Sequence, residues 1–361
     1  MDDTKLPRPN LETNIGIPRE QPSPRESGPT CWGALGDHPM FQIIERPRIR
    51  TMPMERLAAS ILLGLEAGNR GMNVDGDGRI GKDTGFLMLS QDASWRPYRM
   101  AFFNVSWPLG AKSSETYFCN QILLTGNCKT SKPVSGNTGL FRARNFLVHH
   151  AAQVGSDIIV MGIFEAQNLQ FEDFKHLISL DNEFRETGKR LFVVLIHQRD
   201  ADTAGVQTID RRPPPQLVGR YMGVRHHYTG LLWDPLPGEQ SMGSDVALAF
   251  GEYDENMRWP EGDGPTYTAF FAPRAYAAGW RLVSQMDLFR KVVEAVRAEN
   301  GLSPVAPWAM KSFEAFVYYA LVRTAGEDTH FRQFTEQQVR DCLRRSGYID
   351  LELSRVPEGH R

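Results

Sequence analysis

The stretch Gly76-Asp77-Gly78-Arg79-Ile80-Gly81-Lys82-Asp83 constrains this chain more than any other. Its spacing, G-x-x-x-x-G-K, is that of a loop joining the first strand of an α/β domain to its first helix. Glycines there let backbone N–H groups approach phosphates, and the lysine reaches the outer phosphate oxygens. The following helix directs its positive end at the bound anion. Gly76, Asp77, Gly78, Arg79, Ile80, Gly81 and Lys82 are therefore the candidate phosphate cradle. The position after the lysine normally supplies a hydroxyl to Mg²⁺. Here it is Asp83, with Thr84 one residue later, so these two are the candidate metal ligands.

Context separates such a loop from an ordinary Gly-rich turn. Before it, Met54 to Glu66 carries apolar residues at helical spacing, namely Leu57, Ile61, Leu62 and Leu65, and Met72-Asn73-Val74 reads as a short strand. Behind it, Phe86, Leu87 and Leu89 begin another apolar face. Helix, strand, Gly-rich loop and helix is the order in which a phosphate loop is used.

The rest of the chain supplies alternating strands and helices. Tyr98 to Ser106 has strand length, residues 112–124 read as a helix with a Ser-rich start, and Gly126 to Thr138 reads as a loop. Helical periodicity returns through Leu140, Phe141, Phe146, Leu147, Ala151 and Ala152. Asp157 to Phe164 is continuously apolar, as expected of a parallel strand covered on both faces, and it ends at Glu165. A helix from Phe171 to Glu186 then leads to a second such strand, Lys189 to Gln198. The pattern predicts a parallel sheet with right-handed crossovers.

Two strand ends carry polar groups suited to phosphate chemistry. Glu165 is placed to polarise an attacking water, or it simply opens the next loop. Gln198 is placed to contact a terminal phosphate, or it caps its strand. Pro213, Pro214 and Pro215 end this alternation. His226 and His227 are adjacent and would diverge on a strand or helix, with no third ligand in view, which argues against a metal there.

Composition narrows the partners. The 361 residues allow two or three domains, and a formal net charge of −2 provides no global basic field for nucleic acid. No run approaches the roughly 18 apolar residues of a membrane span, and the first residues lack a signal-peptide core. Cys31, Cys119, Cys128 and Cys342 show no C-x-x-C spacing and read as reduced thiols, so a cytoplasmic setting is expected. Three divisions follow: a Pro-rich mobile tail over 1–50, an α/β domain over 51–235, and a loop-rich connection with a helical domain over 236–361. In the tail, Trp32, Phe41, Ile43 and Ile44 are candidates for local docking. The last division has loops over 234–268 and predicted helices at 284–299, 308–325 and 335–346, resembling a small helical lid. Its cluster Arg340, Arg344 and Arg345 reads as a solvated face.

G-D-G-R-I-G-K-D, then I-I-V-M-G-I-F-E-A-Q-N-L, then R-L-F-V-V-L-I-H-Q together resemble the AAA+ ATPases of transposons, the TniB/TnsC-like group. The E-A-Q-N-L segment is the most specific, because that group has D-E-A-Q there. The likeness covers roughly residues 50–235. It implies ATP and Mg²⁺ as cofactors and a homo-oligomer on DNA that communicates with a transposase. It implies Lys82 as the phosphate lysine, Glu165 as the water-activating acid, Gln198 as a sensor, and Arg220 as a finger reaching a neighbouring subunit's phosphate. The chain departs from the group twice, at Asp83 and at Phe164, which stands where the group has a metal-orienting acid. A carboxylate such as Asp83 suits a hard cation. Beside a triphosphate without metal, its charge costs on the order of 4 kcal/mol at about 4 Å and an effective dielectric near 20. Nucleotide binding with weak or slow hydrolysis is therefore expected. The competing expectations are a nucleotide-independent interaction scaffold and a metabolic P-loop kinase.

Overall fold

The computed structural model describes residues 37–42, 46–110, 113–128, 137–199 and 215–355. Most of the expected tail lies outside these residues, as do Cys31, Trp32, Ile43, Ile44, Pro213, Pro214 and most of the expected loop after Gly126. Within the expected tail, the short turn Pro39–Phe41 docks on the C-terminal region. His38 and Met40 are buried, and the His38 ring lies 4.5 Å from Tyr267 and 4.5 Å from Phe270.

The chain forms α1 (Met52–Glu66), β1 (Gly71–Gly76), α2 (Lys82–Gln91), β2 (Ala101–Ser106), α3 (Glu115–Thr125), α4 (Asn137–Val154), β3 (Ile158–Phe164), α5 (Phe171–Phe184) and β4 (Arg190–Gln198). It continues through α6 (Pro215–Leu217), β5 (Arg225–His227), α7 (Asp245–Gly251), α8 (Tyr267–Phe271), α9 (Pro273–Ala277) and α10 (Met286–Glu299). The last helices are α11 (Met310–Tyr318), α12 (Glu336–Arg345) and α13 (Tyr348–Ser354). Sequence signals explain several boundaries. Ser114 caps α3 by accepting from the Tyr117 N–H at 3.1 Å, and Thr335 with Gln338 forms a capping box on α12.

The five strands form one parallel sheet in the order β2-β3-β4-β1-β5. Alternation along the central strands covers both faces. Ile159, Met161, Ile163, Leu191, Val193 and Leu195 pack with α3, α4 and α5, whereas Val160, Phe192, Val194 and Ile196 pack with α1 and α2. This is a parallel α/β fold of the P-loop kind, with helices on both faces. A third core, from Leu231 and Trp233 to Tyr348, holds the C-terminal helices together around Trp308, Phe250 and Phe316.

Three details differ from the sequence expectation. The region 234–268 is not only loop, since α7 lies within it, capped by Ser244 and followed by a π-helical turn at Glu252–Asn256. The predicted helix 308–325 is α-helical only to Tyr318 and continues as a π-helical segment, Tyr319–Ala325. Arg225-His226-His227, too polar and short to register as a strand, adds to the sheet edge beside β1. Among the described residues no helix is long and apolar enough to cross a membrane, and Cys119, Cys128 and Cys342 are free thiols.

Candidate functional site

The Gly-rich loop leaves the C-terminal end of β1 and enters α2 directly, with Lys82 as the first helical residue. Two glycines have no substitute here. A Cβ on Gly76 would stand 2.6 Å from the Tyr228 carbonyl oxygen and 2.6 Å from Ile80 Cδ1. Gly81 has φ +99°, and a Cβ there would meet Met310 Cβ at 2.9 Å. Ile80 is buried and anchors the turn from beneath, while Arg79 adopts φ 63° at its exposed crest.

Lys82 is buried, and its ammonium donates to the Asp77 carbonyl oxygen at a long 3.4 Å. Beside it lies a cavity of about 290 Å³ lined by Arg79, Gly81, Lys82, Asp83, Thr84, Met310, Lys311 and Glu314. That volume is at the lower end of small-molecule sites. The first turn of α11 forms the far wall, and the Lys311 N–H donates to the Arg79 carbonyl at 3.4 Å.

Burial pushes the Asp83 carboxyl above its ordinary range; Lys82 opposes this and Glu165 adds to it. The end of β3 reaches α2, where the Phe164 ring lies 5.8 Å from that of Phe86. Glu165 is exposed in a left-handed conformation, φ 53°, and its Oε2 accepts from Gln167 Nε2 at 2.5 Å. Gln167 Oε1 accepts in turn from the Gln198 N–H at 3.2 Å. The Gln198 amide stands against the loop, 2.8 Å from where a Gly78 Cβ would be. Strand ends β3 and β4 and the loop are thus joined at one sheet edge, where open parallel sheets bind ligands.

Phe164 turns to the other use of its position. Its ring packs edge-on to Phe86 of α2 at 5.8 Å, so it belongs to the core rather than to a metal site. Glu314, across the cavity, is likewise pushed up by burial, against the opposing charges of Arg48 and Arg46.

Arg220 is not part of this constellation. It lies in the π-helical turn Val218–Met222 at the opposite edge of the sheet, donating to Asn182 at 3.1 Å and pairing with Asp181 at 3.4 Å. Asp181 also pairs with Arg70, just before β1. The sheet's depth, roughly 20 Å for six residues, separates Arg220 from the Gly-rich loop of the same chain. His226 and His227 diverge as expected: His226 faces Ser60 Oγ at 2.8 Å, whereas His227 is half exposed and lies 3.5 Å from Asp75. Among the described residues no group of three His, Cys, Asp or Glu side chains could hold a metal.

The donor set fits a polyphosphate. Lys82, Arg79 and Lys311 present three cationic groups to the cavity, and the glycines keep the backbone open. Asp83 and Thr84 add a carboxylate and a hydroxyl, a pair suited to Mg²⁺ carried by that phosphate. Met310, Lys311 and Glu314 escaped the sequence reading because nothing in local spacing says which surface the first turn of α11 will meet.

No protein-family model matches the chain, and no curated protein matches it. Solved structures show a distant likeness. One is the ORC2 protein of Aeropyrum pernix in its ADP form, at 15% identity and TM-score 0.37, covering 86% of this chain and 89% of that one. Another is AMPPCP-bound DnaA from Aquifex aeolicus, at 12% identity and TM-score 0.33, covering 85% and 89%. The Aeropyrum pernix ORC1 protein in complex with DNA shows 12% identity and TM-score 0.33, covering 82% and 83%. At such TM-scores, function has to be read from this chain's own geometry.

Proposed function

We propose that this chain is an ATP-binding protein of the AAA+ type that assembles on DNA and communicates with a transposase, hydrolysing ATP slowly. The observation that carries the nucleotide reading is the meeting, at one sheet edge, of buried Lys82, the Gln198 amide and the Glu165–Gln167 pair. Lys82 holds the phosphates, with Arg79 and Lys311 on the cavity walls. Glu165 accepts a proton from the attacking water, and Gln198 orients the terminal phosphate. ATP supplies the anhydride to be cleaved; Asp83 and Thr84 are the residues that would hold Mg²⁺, which would supply positive charge to the phosphate oxygens. Slow turnover follows from Phe164, which supplies no acid where one would order the metal.

DNA, the transposase and the homo-oligomer rest on the sequence resemblance across residues 50–235. Arg220, bound to Asp181 within its own chain, would serve a neighbouring subunit only after giving up that pair. One observation favours a second reading, a nucleotide-independent scaffold: Phe164 is committed to packing on Phe86.

Two measurements separate these readings. Purified protein with Mg²⁺ and ATP should turn over slowly, and Glu165→Gln should lower single-turnover hydrolysis by about a hundredfold, as loss of a general base does. Rapid turnover would contradict the slow-hydrolysis claim, and unchanged hydrolysis in Glu165→Gln would remove that residue's role. Separately, DNA binding should be salt-dependent and strengthened by ATP, with larger species on sizing. Association indifferent to ATP would favour the scaffold.

A further inference from the structure

The C-terminal helix reaches back to the Gly-rich loop across 278 residues of sequence. Arg355, just past α13, donates from Nη2 to Asp77 Oδ2 at 2.7 Å and from Nη1 to Glu352 Oε1 at 2.8 Å. Glu352 is bound through its other oxygen to Arg297 of α10, whose guanidinium also donates to the Tyr348 hydroxyl at 3.0 Å. The side chains of Arg297 and Glu352 are each 5% exposed, that of Arg355 is 16% exposed, and that of Asp77 is 46% exposed. A buried ion chain therefore runs from the C-terminal core out to a single carboxylate in the loop.

That carboxylate is the only acid between Gly76 and Lys82. Unpaired, it would oppose a polyphosphate arriving at the same backbone turn. Paired with Arg355, it is neutralised, and the loop is tied to a helix whose own position Glu352 and Arg297 fix. We propose that Arg355 is a positioning residue that sets the anion affinity of the loop through Asp77, so that nucleotide binding and docking of α13 are thermodynamically linked. This rests on the reading of the loop as a nucleotide site. The sign follows from the charges: the docked helix favours the anion, and by reciprocity the bound anion favours the docked helix.

The test is a double-mutant cycle read by titration with ATP and Mg²⁺. Arg355→Gln should weaken binding about fivefold or more, the lower end for coupled sites. Asp77→Asn alone should change it by no more than about twofold, because the charge it removes is already neutralised, and adding Arg355→Gln to Asp77→Asn should change it by no more than about twofold again; Arg355→Lys should lie between wild type and Arg355→Gln. A structural role alone, acting through Glu352, would lower stability in Arg355→Gln with no recovery on adding Asp77→Asn; that result, or unchanged affinity in Arg355→Gln, overturns the proposal. Should Arg355→Gln fail to fold, amide exchange over Tyr348–Ser354 in the wild type decides. Slowing by ATP and Mg²⁺ supports the link, and no change overturns it. Failure of the nucleotide reading itself is distinguishable, because the wild type would then not bind ATP or would bind no better than Lys82→Ala.

Discussion

Replacing Arg56 by alanine should lower the unfolding free energy by about 3–5 kcal/mol, the loss expected when a buried ion pair keeps only one member. Arg56 projects from α1 and grips Asp245, at the head of α7, with two hydrogen bonds of 2.8 Å. Its Nη2 also reaches Glu239 at 2.6 Å. Burial works against the Arg56 cation, but the bonds to Asp245 and Glu239 carry its pKa above the ordinary value. The Asp245 side chain is fully buried, and beyond Arg56 it accepts from the Leu232 N–H at 3.0 Å. Without Arg56 that carboxylate stays in the interior with too few donors. Since whole-protein stabilities are commonly about 5–15 kcal/mol, the effect is large. Urea unfolding followed by tryptophan fluorescence would measure it. A change below about 1 kcal/mol, the scale of exposed pairs, would mean that this contact does not hold the helical region to the sheet.

Lys82→Ala should weaken nucleotide binding by about a hundredfold or more, since removing one partner of a desolvated charge pair costs roughly 2–5 kcal/mol and each 1.4 is tenfold. The expectation follows from where the ammonium sits. It is buried at the head of α2, its bond to the Asp77 carbonyl is long, and the cavity opens beside it. Holding a cation there with so weak a partner costs the unliganded fold, so its removal should leave the unfolding midpoint unchanged or raised. Displacement of a fluorescent ATP analogue, with urea unfolding alongside, would read both effects. Equal affinity in the variant would remove Lys82 from the site.

Legibility in the sequence followed how local each feature is. β3 and β4 were visible as apolar runs because helices cover both of their faces. β1 was only half visible, because its inward residues include Asn73 and Asp75. Burial works to raise the Asp75 carboxyl, but Arg225, with His227 and His197, carries it below the ordinary range. A polar residue satisfied by another strand cannot be recognised from its own neighbours. β5 was missed for the complementary reason: its Arg225 and His227 are those partners, and the strand's polarity reads as loop. α7 was hidden among the glycines and prolines scattered between Pro235 and Pro260.

The same distinction runs through the site. The meeting of the loop, Glu165 and Gln198 at one sheet edge was legible because a motif and two strand ends place them, and parallel strands deliver their ends to one edge. Phe164 was legible as a departure, but only its packing on Phe86 shows what the position does instead. Lys311, Glu314 and Arg355 were not legible. Each arrives by the docking of a helix far along the chain, and side-chain periodicity within that helix says which face is apolar, not which loop it will meet. For Arg220, position in the sequence suggested a neighbouring subunit's phosphate; within its own chain the fold pairs it with Asp181.

The most direct measurement is a crystal structure of the protein grown with a non-hydrolysable ATP analogue and Mg²⁺. The expected result is polyphosphate density against the backbone of residues 76–82, with the Lys82 ammonium moved from the Asp77 carbonyl onto a phosphate oxygen and the metal beside Asp83 and Thr84. A loop still closed on itself at saturating analogue, or the analogue bound elsewhere on the chain, would contradict the nucleotide site on which the proposed function depends.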